Sequence, residues 1–415
     1  MKKDVLIVGG GIIGLMSAYF LQAKGRKVCI IDEGDFSSSS SFGNAGLLSA
    51  FDEAPLSHPG IVSDTLKLIL KGESPVKFHL SGELKLYSWL MKFIKNANPS
   101  RVEQSKALFE KYGEISCEHY EHMQDKLGFD LDYHRDGMLV VCTEEKSFSK
   151  ILSQYKKPNN ARFEILSKKK TKEYLPILND EANIGSILFK KNGRIDSKKL
   201  MNSLRDYLKK QGVEFSFNEK IENLEFKNSK VSKLSSEKNS YEPEDVILAT
   251  GYKDILAKIS GQNLMMTPAK GYNITFNMAK ELRPKVATMF ADLFIVMTPR
   301  LEDVRLTSKL ELGTKNPDIV QAQIQSIKNN LKKYTKDFKM ENELPWTGFR
   351  PLTPNDIPLF GKDEKYKNLY YGMGLGWLGI TFGPAIGEIL CDMISNNKTN
   401  ETSEDVRLFS GLVKR

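Results

Sequence analysis

Residues 5–32, VLIVGGGIIGLMSAYFLQAKGRKVCIID, constrain the fold more than any other stretch of the chain. The apolar run Val5 to Val8, bounded by glycines, predicts a strand buried on both faces. A helical pattern follows from about Ile12 to Ala23 and closes at Gly25, and KVCIID at 27–32 predicts a second strand. Together they make a βαβ unit with Gly9, Gly11 and Gly14 spaced as G-x-G-x-x-G at the strand-to-helix turn. Gly9 suits the tight turn, Gly11 lets a pyrophosphate approach the backbone, and Gly14, beside Ile13, lets helix and strand pack closely. The free N–H groups and positive dipole end of such a helix attract phosphate. Asp32 ends the second strand, eighteen residues past Gly14, with Glu33 next to it. A carboxylate there accepts hydrogen bonds from ribose hydroxyls and repels a 2′-phosphate, which disfavours NADP.

At 415 residues the chain is longer than one core usually grows, so two packed domains are expected. The apolar start is riddled with glycine and no small-residue cleavage site follows it, so it belongs to the fold and not to a signal peptide. Cys29, Cys117, Cys142 and Cys391 lack C-x-x-C or zinc spacing, which argues against disulfides and a metal site and fits a reducing cytoplasm. His119 and His122 could share a helix face, but no third ligand is apparent and they read as surface residues. The net charge of +9 comes mostly from dispersed lysine. Its densest run, SKKKTKE at 167–173, has no interleaved aromatics and reads as a solvated face, so no nucleic-acid partner is expected. The apolar segment 372–394 contains Glu388, Asp392 and several glycines and reads as a turn feeding a buried helix, not a membrane span. LYSWLMKFI at 86–94 reads as a core helix, with peripheral contact at the inner face of a membrane as its alternative.

Further along, residues 76–190 are mostly helical, with one long amphipathic helix at about 100–128 and a strand in GMLVVCT. A helix is expected near 197–210 and a buried strand in EDVILATG, while LFIVMTPR and DVRLTSKLELG look like antiparallel neighbours. The fold class is therefore α/β. A Rossmann-like dinucleotide domain is built from discontinuous segments, 1–75, 190–262 and 340–415, and an α+β substrate domain with a mixed or antiparallel sheet is built from 76–189 and 263–339.

A nicotinamide enzyme needs only the βαβ unit and a substrate site, whereas a flavin must be gripped along its length. Three further segments offer such grips. SSSFGNAGLLS places Ser40, Ser41 and Asn44 on a small-residue loop just past Asp32, ILATG ends a buried strand at Thr250 and Gly251, and GLGWLGIT enters the last long helix. Backbone N–H groups of Gly379, Ile380 and Thr381 at that helix start would stabilise the negative charge of a reduced flavin. In WTGFRPLTPNDIPLFG, Arg350 can pair bidentately with a carboxylate or serve as a structural ion pair. Tyr272 in PAKGYNITF is a second polar candidate, against ordinary packing.

These residues together resemble the D-amino acid oxidase and glycine oxidase family of flavoproteins, and within it the bacterial D-amino acid dehydrogenases (small subunit) and D-hydroxyproline dehydrogenases. The match runs in order through the opening glycines, VCIID, the loop ending NAG, GRID, ATG, PAKGY, LELG, WTGFRPLTPNDIPLFG and the glycine-rich last turn. It implies noncovalent FAD with its adenine end near Asp32 and Ile221, and its ring between the loop of Asn44, Ala45 and Gly46 and GLGWLGIT. It also implies Arg350 at the substrate carboxylate and the turn of Gly376, Trp377 and Leu378 beside the amine. A hydride would pass from the substrate Cα to the flavin, giving an imino acid. The substrate is expected to be a D-amino acid or a cyclic imino acid, and the acceptor a quinone or electron carrier. An oxygen-using glycine or sarcosine oxidase, or a flavin-binding subunit of a multi-chain dehydrogenase, are the alternatives. Where the family commonly has His in a G-H-G turn, this chain has Leu375, which points to an apolar or cyclic substrate. No cysteine lies between Cys142 and Cys391, so covalent flavin attachment is not expected.

Overall fold

The computed structural model describes residues 1–49, 56–63, 65, 74–79, 83–154, 162–395 and 404–412. The opening strand, Lys2–Val8, lies at the centre of a parallel set ordered Glu214–Ser216, Val28–Ile31, Lys2–Val8, Ser240–Leu248, Leu369–Met373. Alternation along it explains the continuous apolar run. Val5 and Ile7 enter one core cluster, Leu6 and Val8 another, so both faces of the sheet are covered. The hairpin of Ile221–Lys227 and Lys230–Ser236 joins the start of Ser240–Leu248, and Leu359–Lys362 adds an antiparallel edge.

The helix Ile12–Ala23 packs against the C-terminal helix Gly379–Ile394. Glycines on the second helix permit this approach. A Cβ on Gly383 would stand 2.6 Å from Ile12 Cγ1, and one on Gly387 would stand 2.7 Å from Met16 Cβ. The C-terminal helix also contains Pro384, which has no N–H to give to the Ile380 carbonyl. The buried Tyr120 hydroxyl donates to that carbonyl instead, at 2.6 Å, and Ser116 Oγ accepts the Ala385 N–H at 3.3 Å. Both partners come from the long helix Pro99–Asp125, which starts with Asn98 as its cap. The segment read as a turn feeding a buried helix is thus a helix with nearly all its residues buried, held one turn from its start by a neighbour's side chains.

A second, mixed sheet runs in the order Glu341–Leu352, Thr267–Asn277, Val304–Leu312, Ile295–Pro299, Ala287–Phe290, Met138–Val141, Ser186–Phe189, Phe163–Leu166, with Val76–Phe78 beside Val304–Leu312. Ile295–Pro299 and Val304–Leu312 are antiparallel neighbours. Strand Glu341–Leu352, which the sequence bounds placed with the dinucleotide segments, is hydrogen-bonded to Thr267–Asn277 across ten register pairs and so belongs to this second sheet. Its chain then passes to Leu359–Lys362 in the first sheet, and this crossing brings the two sheets together.

Candidate active site

A cavity of about 460 Å³ follows the carboxyl ends of the parallel strands. One end is bordered by Asp32, Glu33, Glu219 and Ile221, and the other by Gly374, Gly376 and Gly379. Gly9 has φ +112°, and a Cβ there would stand 2.3 Å from the Ala249 carbonyl; one at Gly14 would stand 2.0 Å from the Gly9 carbonyl. These two glycines are therefore demanded by packing. Gly11 is open by contrast, since a Cβ would meet only Ser41 Oγ, at 3.6 Å, and at Gly251 nothing lies within 4 Å. The cavity thus has bare backbone at two successive turns, a cradle that a phosphate chain and a flat ring can lie against.

Asp32 fixes the first turn through both oxygens, accepting the Gly10 N–H at 2.6 Å and the Gly34 N–H at 2.8 Å. Ser41 Oγ stands at the start of the opening helix and accepts the Ile12 N–H at 3.1 Å. Glu33 forms an ion pair with Lys253, both lining the cavity. Glu219 was not expected from the sequence. Burial alone would raise its carboxyl, yet donors from Ser216, Ser236, Asn239 and Tyr241 hold it below the ordinary value.

A smaller pocket of about 30 Å³ adjoins the long cavity and shares Ser40, Ser41, Gly348, Gly376 and Gly379 with it. Trp346, Gly348 and Arg350 alternate along one strand and so point to one face, opposite Asn273, Gly271 and Ala269. Two side chains fill the space that glycines leave. A Cβ on Gly43 or Gly348 would come within 2.3 or 2.1 Å of the Trp346 indole, and one on Gly271 would stand 2.8 Å from Arg350 Cζ. Arg350 has no hydrogen-bond or ion-pair partner among the described residues, and burial pushes its guanidinium down to about 10. Even so it carries a full charge at neutral pH. Nearby, the Thr307 hydroxyl is buried without a partner among the described residues.

The loop over this pocket is held by the second sheet. Asn273 Nδ2 donates to the Gly43 carbonyl at 2.8 Å, and Arg305 Nη1 donates to the Asn44 carbonyl at 2.6 Å. Ser197 Oγ lies 3.0 and 3.1 Å from the Phe42 and Asn44 carbonyls. Within the loop, Asn44 Oδ1 accepts the Gly46 N–H at 2.8 Å, and Gly46, at φ +74°, presses on the Ile195 carbonyl where a Cβ would not fit. Ala45, between them, lines neither cavity.

Tyr272 is among the residues bordering the small pocket, on the strand beside Arg350, while its ring packs in the core of the second sheet and its hydroxyl donates to Glu311 at 3.2 Å. Trp377 lines neither cavity; its indole packs against the central core and its Nε1 is buried without a partner among the described residues. Gly379 borders both cavities, whereas the Ile380 and Thr381 side chains turn inward, Thr381 Oγ1 reaching the Leu47 carbonyl at 3.5 Å. Ile13 and Thr250 line the long cavity, and Leu375 lines it as a buried core residue. The sequence reading overlooked Trp346, Thr307, Asn273, Arg305 and Ser197. The signal for Trp346 was present, because W-x-G-x-R in a strand puts tryptophan, glycine and arginine on one face.

A family model described as FAD dependent oxidoreductase matches residues 4–393. The chain belongs to that family. It is 48% identical over 414 residues to the D-amino acid dehydrogenase of Helicobacter pylori strain ATCC 700392 / 26695, with all of both chains covered. It is 26% identical to the D-amino acid dehydrogenase of Neisseria gonorrhoeae strain NCCP11945, covering 97% of this chain and 98% of the relative. Among solved structures, glycine oxidase from Bacillus cereus superposes with TM-score 0.76 at 20% identity, covering 100% of this chain and 99% of that one. L-proline dehydrogenase from P. horikoshii superposes with TM-score 0.71 at 15% identity, covering 97% and 95%. FAD is accordingly this chain's cofactor, and the chain is an FAD-dependent oxidoreductase. No helix among the described residues is long and apolar enough to cross a membrane.

Proposed function

We propose that this chain is a dehydrogenase of D-amino acids or cyclic imino acids, passing electrons from the substrate Cα–N bond to a quinone or a small electron carrier. The observation that carries this reading is the charged Arg350 guanidinium, which has no protein partner and lines a small pocket directly beside the cofactor cavity. A substrate carboxylate is the partner it lacks, and a bidentate pair would fix the Cα next to the turn of Gly376 and Gly379. The full-length likeness to a named D-amino acid dehydrogenase supports the substrate class.

Bound FAD supplies the two-electron acceptor. The protein's contribution is placement. Trp346 closes one wall, and among the described residues no carboxylate, imidazole or lysine lines the small pocket to take the amine proton. In this reading the amine reacts neutral, its lone pair available to stabilise charge developing at Cα. Removal of two electrons and two protons leaves an imino acid, which water hydrolyses to a 2-oxo acid and ammonia when the nitrogen is primary. The first sheet serves as the cofactor unit and the second as the substrate unit, with Arg350 and Trp346 supplied by Glu341–Leu352 at the edge of the second. The test is anaerobic mixing of purified protein with D-, L- and cyclic amino acids while flavin absorbance is followed. Bleaching by D- or cyclic substrates is expected; bleaching by L-amino acids alone would overturn the assignment, and rapid peroxide release in air would make the enzyme an oxidase.

A further inference from the structure

Strand Val304–Leu312 sends its successive side chains to two destinations. Val304 and Leu306 enter the core of the second sheet, whereas Arg305 reaches the Asn44 carbonyl and Thr307 lines the small pocket. In the register Thr307 stands opposite Asn273, and Asn273 opposite Trp346, so the three form one row across neighbouring strands. The adjacent row contains Gly271 and Gly348, which have no side chains, and the Arg350 guanidinium fills the space above Gly271.

Ser41, Asn44, Tyr272 and Asn273 also line the small pocket, and each has a hydrogen-bond partner within the protein. Arg350 and Thr307 have none among the described residues, and Thr307 is only 6% exposed. A hydroxyl closed off from water and left unpaired costs stability, so its persistence in a pocket points to a ligand atom that satisfies it. The spacing of the two groups suits one small molecule. From Gly271 to Thr307 is two residues along a strand, about 7 Å, and one strand across, about 5 Å, which gives a separation of about 8 Å. An α-amino acid whose carboxylate and nitrogen each make a hydrogen bond of about 3 Å to the protein bridges a gap of that order.

We infer that Thr307 recognises the substrate amine, its hydroxyl accepting an N–H from the molecule whose carboxylate Arg350 holds. This rests on the amino acid dehydrogenase reading and adds to it the residue that orients the nitrogen. A neutral amine stabilises charge at Cα only when its lone pair lies parallel to the Cα–H bond that breaks, and a primary amine turns freely about its Cα–N bond. One N–H fixed on Thr307 sets that angle. In a cyclic substrate the ring has already set it, so Thr307 binds a cyclic amine but has to orient a primary one.

The test compares Thr307→Val, which removes the hydroxyl at nearly unchanged volume, with Thr307→Ser, which keeps it. Anaerobic stopped-flow reduction of the flavin-loaded protein is followed with D-alanine and D-proline. Binding of propionate, a carboxylate without nitrogen, is followed by the change in flavin absorbance. In Thr307→Val the half-saturating concentration should rise about tenfold for both amino acids. The limiting rate should fall about tenfold with D-alanine and stay within twofold with D-proline, and propionate should bind within twofold of wild type. Thr307→Ser should return every value to within threefold. The urea midpoint of substrate-free Thr307→Val should be no lower than that of wild type, because the hydroxyl has no partner to lose. Unchanged amino acid kinetics in Thr307→Val, or propionate weakened as much as D-alanine, overturns the assignment. An equal fall in limiting rate with D-proline overturns the orienting role. Wild-type flavin that no amino acid bleaches overturns the enzymatic reading and this assignment with it, whereas bleaching that Thr307→Val leaves unaltered removes Thr307 alone.

Discussion

Replacing Arg350 by methionine should move stability and substrate affinity in opposite directions. A guanidinium pushed down to about 10 by burial pays for the loss of its water. A drop of that size corresponds to about 3 kcal/mol, and the solvent still reaching this part-buried group reduces it to roughly 1–2 kcal/mol. The sign follows from proton binding. Below about pH 10 the unfolded chain holds the arginine proton more tightly than the folded one, so the penalty is present in full at neutral pH. It lifts only as alkaline pH strips the proton from the folded state. Methionine keeps much of the volume against Gly271 and removes the charge, so the substrate-free, flavin-loaded variant should be more stable than wild type by about 1–2 kcal/mol in urea denaturation. The same change removes a bidentate, charge-assisted contact of about 3 kcal/mol or more from the enzyme–substrate complex, which raises KM on the order of a hundredfold. Flavin content should not change. A variant that is less stable than wild type with an unaltered KM would show that Arg350 is a structural cation, and the reasoning would fail.

Asp32→Ala removes the acceptor of the Gly10 and Gly34 N–H groups, and dialysis should strip FAD from the variant under conditions where wild type keeps it. Tyr120→Phe leaves the Ile380 carbonyl without a donor, because Pro384 cannot replace the hydroxyl; a loss of about 1–3 kcal/mol is expected by denaturation, and a loss below about 0.5 kcal/mol would mean that water takes the place. Asp356 is buried, which pushes its carboxyl up to about 7 against the Leu56 and Ser57 N–H groups that favour the anion. The folded chain therefore holds a proton that the unfolded chain has lost between about pH 4 and 7, so this residue makes stability fall as pH rises through that window; urea midpoints for Asp356→Asn should be flatter with pH than for wild type.

Much of the lining of the long cavity, the candidate cofactor site, was legible because it rests on local rules. A buried strand, a glycine turn and a helix start follow one another within a few residues, and each glycine answers a steric demand that can be read from its place in the turn. The small pocket proposed for the substrate was less legible, and Tyr272 shows why. It neighbours Gly271 and Asn273 in sequence, but a strand sends successive side chains to opposite faces, so its hydroxyl meets Glu311 on the far side of the sheet from Arg350. Trp346 and Trp377 differ too: both stand close to glycines, yet only Trp346 faces the pocket, because Gly43 and Gly348 leave its ring a slot. Thr307 and Arg305 come from a third strand, paired with Thr267–Asn277, and no local pattern marks them.

The amino-acid sequence by itself determined the βαβ unit, the order of strands and helices that make two sheets, and the presence of a lone arginine in a stiff, proline-bounded stretch. Tertiary structure decided which face that arginine took, that nothing in the described protein would neutralise it, and that Tyr120 would stand in for the N–H that Pro384 lacks. The division is physical. Periodicity and turn chemistry act over a few residues, whereas register, desolvation and the partner of a buried polar group are set only when strands and helices distant in the chain come into contact.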